Sequence, residues 1–439
     1  MTESPAKPSA TTQPVVVVVG GGFGGLQVVR ALARSPVQVV LIDRENYHLF
    51  QPLLYQVATG GLSPADISSP LRSIFKNQKN VTIIQDEVQD FDIEGQSLIT
   101  RKSRVPYDYL VLATGSRTSY FGNDQWAGYS HGLKSLEEAI DIRKQIYGTF
   151  EEAECLAGTE KDPRPIRFVV VGGGPTGVEM TGAIAELTRH TLRGEFKRID
   201  PTKAEVLLLE GGGRVLANYD ESLSNKAQED LEDLGAHVRT NTFVTNIDQS
   251  GVKFKNEQQE EEFLEADLVL WAAGVRASSL SRKLHEKTGV ELDRSGRICV
   301  NKDLSVPNHP NIFALGDMVL FLDEKKQKPL PGVAPVAMQQ GYYVGKKIDR
   351  QVIGEETETP FEYTDKGMLA VIGRAAAIGD IRGWKFTGFF AWFVWLFVHL
   401  MFLVEFQSRV LVFIQWGWNY FTRNRSARLI TNTRELRSD

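Results

Sequence analysis

Residues Val15–Ser35 read VVVVVGGGFGGLQVVRALARS. Five consecutive valines have the composition of a strand buried on both faces, the usual state of a strand inside a parallel sheet. They run straight into glycines at 20, 22 and 25, spaced GxGxxG, and a helical apolar pattern follows. A second apolar strand, Val37–Ile42, then ends in Asp43, 21 residues after Gly22. Strand, glycine turn, helix, strand and acid are the parts of a βαβ unit that holds a dinucleotide. The first glycine makes the tight turn, the second lets a pyrophosphate approach the backbone, and the third lets helix pack on strand. The helix N-terminus offers free N–H groups to the phosphates, and Asp43 is placed to take two ribose hydroxyls.

The same construction returns 152 residues later. Ile166–Val171 (IRFVVV) leads into Gly172, Gly174 and Gly177, a helix begins VEMTGAIAELTRH, and the next strand, Glu205–Leu209, ends in Glu210. Glu210 lies 38 residues past Gly172, beyond the usual spacing of about 20. The excess is assigned to a helix extension and loop over Arg193–Lys203. Each half also closes on a similar phrase, DYLVLATG at Asp108–Gly115 and DLVLWAAG at Asp267–Gly274. Both read as buried strands ending in a small corner where backbone can lie against a ligand. A third, NIFALGD at Asn311–Asp317, ends in an acid that either bonds a ligand or caps the following helix.

Composition narrows the function. The chain has 439 residues and a net charge of −5, which argues against a nucleic-acid partner. Cys155 and Cys299 are its two cysteines, too few for a disulfide scaffold or a cysteine-rich metal site, and no HExxH occurs. No metal site is expected. Residues 1–13 are polar and lack the apolar run of a signal peptide.

The other end differs. Of seven tryptophans, five (Trp384, Trp392, Trp395, Trp416, Trp418) fall in the last 56 residues. Between Lys385 and Glu405 stand 19 residues without a charge, FTGFFAWFVWLFVHLMFLV, and Val410–Phe421 is again apolar. Arg423, Arg425, Arg428, Arg434 and Arg437 follow. Aromatic and basic residues beside apolar helix mark a membrane interface. Three readings stand: an anchor lying in the membrane plane, a spanning helix of about 28 Å, and a buried oligomer interface.

Taken together, GGGFGG, ATG at 113–115, GGGPTGVE and the late ALGD resemble the two-dinucleotide flavoproteins of glutathione-reductase type. In that family an NAD(P)H domain is inserted in an FAD domain. Disulfide reductases of the family carry a cysteine pair soon after the first ribose acid; Asn46–Pro64 has none. Instead, HLFQPLLY at 48–55 resembles type II NADH dehydrogenases and sulfide:quinone reductases. APVAMQQG at 334–341 is similar to the AQxAxQQ quinone motif of type II NADH dehydrogenases, with Pro335 in place of the first glutamine. YTDKGMLAVIGR at 363–374 and the tail are similar to the same family.

The resemblance implies an α/β fold of two Rossmann-like domains with C-terminal membrane-anchoring helices. Its expected limits are a tail at 1–13, FAD-binding parts at 14–120 and 285–383, a helical linker at 121–164, an NADH-binding domain at 165–284 and the anchor at 384–439. It implies FAD held by Gly20, Gly22, Phe23, Gly25, Asp43, Arg44, Pro52, Ala113, Thr114, Gly115, Gly316, Asp317 and Ala337. NADH falls to Gly172, Gly174, Pro175, Thr176, Gly177, Glu179, Glu210, Ala273 and Gly274. A quinone falls to Ala334, Met338, Gln339 and Gln340, the two glutamines alternatively being helix-start residues satisfied by backbone. Glu179, Lys366 and Gln339 are the expected catalytic residues; Glu179 is otherwise a helix-dipole partner and Lys366 a turn lysine. Glu210 favours NADH, because a carboxylate bonds a free 2′-hydroxyl and repels a 2′-phosphate; Arg214 stands close in sequence.

The implied activity is hydride transfer from NADH to FAD and two-electron delivery to a membrane quinone, without proton pumping. The implied setting is the cytoplasmic face of a bacterial inner membrane, as a homodimer bound peripherally or monotopically. A sulfide:quinone oxidoreductase is the other enzymatic reading, kept open by the two cysteines, and an NADH-sensing flavoprotein at the membrane is the non-enzymatic one.

Overall fold

The valines at 15–19 form the strand their composition predicts, with Val16, Val17 and Val18 fully buried. The computed structural model describes residues 13–159, 164–323, 327–355 and 359–430. All of the expected tail but Gln13 lies outside these, as do Arg434 and Arg437. The chain makes two compact units.

The first unit gathers the described parts of Met1–His48, Pro70–Ser116 and Arg276–Thr364. Its main sheet has six strands in the order Ser305–Val306, His309–Ala314, Tyr109–Leu112, Val15–Val19, Gln38–Asp43, Val81–Gln85. Val15–Val19 pairs in parallel on both sides, from Val15 against Gln38 to Val19 against Ile42, and from Val16 against Tyr109 to Val19 against Leu112. The first strand in sequence therefore sits in the middle of the sheet. Chain order reverses there and leaves a crevice at the carboxyl ends of the strands. Helix Phe23–Ala31 follows the glycine turn and packs on helix Ala334–Val352.

The second unit gathers the described parts of Leu49–Ser69, Arg117–Val275 and Asp365–Asp439. Segments 49–69 and 365–383, read in the sequence as FAD-binding parts, thus pack in the unit that contains Gly172. Its parallel sheet runs His237–Arg239, Glu205–Leu209, Arg167–Val171, Leu268–Trp271, again with the strand before the glycine turn inside the sheet. Trp271 closes the core beneath it. Its ring lies 5.5 Å from Tyr120 and 5.4 Å from Trp126, and its Nε1 donates to Ser119 O at 2.7 Å. Helix Leu136–Leu156 occupies the expected linker, begun by a reciprocal Ser135–Glu138 cap.

Helix Pro175–Glu186 continues as a π turn, Leu187–Thr191, so the helical extension precedes Arg193; the stretch expected to extend it carries only a short 3-10 turn, Pro201–Lys203. The same helix packs on the antiparallel meander Met368–Gly373, Ala376–Ile381, Trp384–Thr387. The approach is close: a Cβ on Gly182 would stand 1.7 Å from Ile372 O.

The uncharged stretch is not one helix. Its first residues finish the meander, Gly388 turns with φ +70°, and the helix Gly388–Phe402 has 15 residues. That is about 22 Å, short of a bilayer core of about 30 Å. Among the described residues no helix is long and apolar enough to cross a membrane, so the spanning reading is not met. After a break at Leu403–Glu405 a second helix, Phe406–Thr422, folds back; Trp395 lies 5.5 Å from Trp416 and Trp392 lies 5.2 Å from Tyr420.

Candidate active site

In the first unit the glycine turn is shaped by sterics. Gly20 has φ +109°, and a Cβ there would meet Ala113 O at 2.4 Å. Gly22, by contrast, has open space where its Cβ would be, in front of the first helix turn. Asp43 Oδ2 accepts from Gly21 N at 2.5 Å and Oδ1 from Glu45 N at 2.8 Å; burial pushes its carboxyl up against the pull of those amides. His48 is 2% exposed, and its Nδ1 stands 3.0 Å from Gly21 O. A carbonyl only accepts, so Nδ1 carries the proton and Nε2 is left as a bare acceptor. That Nε2 is buried without a partner. Burial lowers the imidazole pKa to about 4, which keeps it neutral. Open space at Gly22, a carboxylate at the end of the second strand and an unsatisfied acceptor fit a hydroxyl-rich dinucleotide such as FAD.

Other residues expected around FAD are placed as follows. Phe23 stands edge-on to His48 at 5.0 Å. Arg44 is exposed and lies 3.5 Å from Glu45. Thr114 donates to Met318 Sδ at 3.3 Å, and Gly115 turns with φ +64°. Asp317 accepts from Ser116 Oγ at 2.9 Å and caps no helix; Leu315 holds that position. Gly316 N donates to Gln340 Oε1 at 2.7 Å, with Ala337 beneath it. Gln340 is 1% exposed and anchors the Gly316 turn. Pro52 opens a 3-10 turn, Gln51–Leu53, in the second unit.

The second glycine turn repeats the first. Gly172 has φ +106°, and its Cβ would lie 2.6 Å from Ala273 Cα; Gly174 faces open space. Pro175 takes the first helical position, where its missing N–H costs nothing. Glu210 Oε2 accepts from Gly173 N at 2.5 Å and Oε1 from Gly212 N at 2.6 Å. Thr176 and Ala273 are exposed at the turn. Arg214 Nη2 donates to Ala217 O at 2.9 Å, which ties its guanidinium back into its own loop.

Glu179 is the fifth residue of its helix, past the first turn, so it is poorly placed as a dipole partner. It lines a cavity of about 420 Å³ walled also by Tyr55, Trp392, Trp395, Trp416 and Tyr420. Burial raises the carboxyl pKa to about 8, against the pull of the Val371 amide. Glu186 and His190 line the same cavity about two and three turns further on; Arg425 pairs with Glu186 at 3.4 Å. Lys366 Nζ lies 5.9 Å from the centre of the Phe402 ring.

In the first unit, Met338 and Gln339 line an open groove of about 720 Å³. Gln339 donates to Thr364 O and accepts from Thr364 N, each at 3.0 Å. Ala334 and Pro335 are the first two residues of the helix.

Residues 14–341 match the family model described as pyridine nucleotide-disulphide oxidoreductase, and residues 366–424 match the NDH2 C-terminal domain. The chain is 40% identical over 423 residues to type II NADH:quinone oxidoreductase Ndh of Mycobacterium tuberculosis, covering 95% of this chain and 90% of that one. This chain belongs to the type II NADH:quinone oxidoreductase family. The Staphylococcus haemolyticus member is 32% identical over 85% of this chain and 91% of its own. NDH2 from Plasmodium falciparum, solved in complex with NADH, superposes with a TM-score of 0.84 at 21% identity, covering 96% and 100% of the two chains. Sulfide:quinone oxidoreductase from Aquifex aeolicus gives 0.72 at 17% identity over 95% and 96%, which is likeness of fold alone.

As a type II NADH:quinone oxidoreductase, the molecule has functional candidates that sequence reasoning passed over: Tyr55, Gln56 and His48 Nε2. All three lie on or beside the HLFQPLLYQ stretch that carried the resemblance. What periodicity could not supply was their partners, Trp416 and Gly21, which are 360 and 27 positions away from Gln56 and His48.

Proposed function

We propose that this protein oxidises NADH and delivers two electrons, by way of FAD, to a membrane quinone. The observation that carries the reading is the matched pair of glycine cradles, each with an acid bonded to the amide that follows its first glycine. A bound FAD would supply the hydride acceptor and two-electron carrier, and the protein's share is binding, orientation and exclusion of water. The Gly20–Gly25 turn, Asp43 and His48 hold the FAD pyrophosphate and ribose, with Ala113–Gly115, Gly316 and Asp317 against the rest of it. The Gly172–Gly177 turn and Glu210 hold NADH. Glu179 keeps a proton near neutrality and presents it at the cavity for the reduced quinone. Lys366 serves the acceptor side in the second unit; in the first, Met338 and Gln339 line the groove beside Ala334, and Gln340 holds the Gly316 turn.

The tail supports a surface docked on lipid. Phe389, Phe393, Phe397 and Met401 recur every four residues and are all about half exposed or more, while Ala391 and Trp395 are buried. Such a helix lies in the membrane plane. We place the protein on the cytoplasmic face of a bacterial inner membrane, as a homodimer. Purified protein should be yellow. NADH added without oxygen should bleach the flavin band, and decylubiquinone should restore it. A correctly folded protein that stays yellow with NADH but bleaches with sulfide selects the sulfide reaction and ends this reading.

A further inference from the structure

The cavity beside Glu179 contains a chain of hydrogen bonds with a forced direction. Trp416 Nε1 lies 2.7 Å from Gln56 Oε1, and Gln56 Nε2 lies 2.8 Å from the Tyr55 hydroxyl oxygen. An indole N–H only donates. It therefore fixes which end of the Gln56 amide is oxygen, and the amide NH2 must point to Tyr55. The Tyr55 oxygen accepts that bond, so its own proton is turned away from Gln56. No acceptor for this proton is recorded among the described residues.

Tyr55, Gln56 and Trp416 all line the cavity, and Tyr55 is 7% exposed. On the same wall Trp395, 2% exposed, has an Nε1 that is buried without a partner. Buried donors are nearly always satisfied in native proteins, and those left over call for a ligand. Two such donors in a cavity walled by aromatic rings match a flat, conjugated molecule with oxygen acceptors. Burial and the nearby Glu179 charge hold the phenol pKa far up, so Tyr55 stays a donor at any working pH.

We propose that Tyr55 is a quinone-binding residue whose hydroxyl donates to a quinone oxygen, and that Trp416 and Gln56 are positioning residues that aim its proton into the cavity. This rests on the NADH:quinone reading above and adds which side chains receive the acceptor. Because Trp416 belongs to the helix Phe406–Thr422, the lipid-facing tail sets the polarity of the site.

The test uses full-length, FAD-loaded protein at matched flavin content, with decylubiquinone as probe. Its Kd is measured by titration calorimetry, and KM and kcat with NADH as donor. Losing one neutral hydrogen bond weakens binding about 3- to 10-fold. Tyr55→Phe and Trp416→Phe should each raise Kd and KM by that factor, more than they lower kcat. The double variant should be no worse than Tyr55→Phe alone, since Trp416 acts through Tyr55. Gln56→Glu offers acceptors to both neighbours, pulls the Tyr55 proton back and should lose as much. Undiminished quinone binding by Tyr55→Phe, or losses that multiply in the double variant, overturns the assignment while leaving the NADH:quinone reading intact. Wild-type protein that binds no quinone overturns both.

Discussion

The carboxylate of Glu210 bonds the backbone N–H of Gly173 at 2.5 Å, just as Asp43 bonds Gly21 in the other unit. The acid at the end of the second strand is thereby tied to the turn that faces the pyrophosphate. Both Glu210 oxygens are engaged, so its orientation is set before a ribose arrives. Glu210→Ala removes the charged acceptor for the 2′-hydroxyl and the repulsion of a 2′-phosphate. NADH KM should rise on the order of tenfold and the NADPH-to-NADH ratio of kcat/KM should increase. Steady-state kinetics with both nucleotides checks it; an unchanged ratio removes Glu210 from cofactor selection.

The role proposed for Glu179 predicts an acceptor half-reaction that depends on pH. With a pKa of about 8 its carboxyl holds a proton at pH 7 and loses it above pH 8. Stopped-flow reoxidation of the flavin by quinone should fall as pH rises through that value. Glu179→Gln should be slower by about 100-fold, the low end for loss of a general acid, and should lack that limb. Stability carries the same mark. The folded state binds the proton more tightly than the unfolded chain, whose carboxyl titrates near 4.5. Wild-type stability is therefore lost progressively as pH rises from about 4.5 to about 8. The Tm advantage of Glu179→Gln should be absent at pH 4 and grow across this window.

Gln339 holds the Thr364 backbone at both its N–H and its carbonyl, much as a neighbouring strand would. Gln339→Leu breaks both bonds at a partly exposed site and should cost about 1 kcal/mol, a Tm fall of a few degrees. If the pair also positions the acceptor side, quinone KM rises while NADH KM stays put. A Tm fall with neither KM altered makes Gln339 a structural residue only.

The parts of the fold read from the sequence are those with local signatures. A run of five valines has no alternative to a buried strand, and two GxGxxG turns need only their flanking strands to be recognised. Glu210 was legible despite its spacing because strand Glu205–Leu209 ends where the acid stands. The misplaced helix extension has a local cause as well: Leu187 and Thr188 are buried, so the helix carries on through a π turn, whereas the stretch after it is held from outside, the amides of Lys197, Arg198 and Ile199 donating to Glu154. Of the three readings of the tail, the spanning one fails for the opposite reason. Nineteen uncharged residues satisfy a hydropathy window, yet Gly388 breaks the run and Trp384–Thr387 is used by the meander. Long-range pairings, Trp416 with Gln56 or Arg425 with Glu186, left no trace in periodicity.

Those pairings decide how the membrane anchor must be tested. Removing residues 383–439 would strip exposed apolar side chains but also the Trp384–Thr387 strand, the Trp416–Gln56 bond and the Asn419 bond to Gly61 O at 3.1 Å. Loss of activity after such a deletion would not separate docking from a collapsed cavity. Changing only the outward row avoids this: Phe389, Phe393 and Phe397 are exposed and lie on the face opposite Ala391 and Trp395. Substituting all three by serine removes three large apolar side chains from the exposed face, each contributing about 1.5–3 kcal/mol on full burial. Even with partial insertion, the protein should move from the floating to the soluble fraction in vesicle flotation. Its Tm should stay within a few degrees, because all three side chains are exposed and only the Phe389–Trp392 ring contact at 5.8 Å is given up. Activity should fall with long-tailed quinones embedded in vesicles and persist with decylubiquinone in detergent. A triple variant that still floats with vesicles assigns the lipid contact to another surface, with the second helix, where Phe406, Phe413 and Phe421 are exposed, next to be changed.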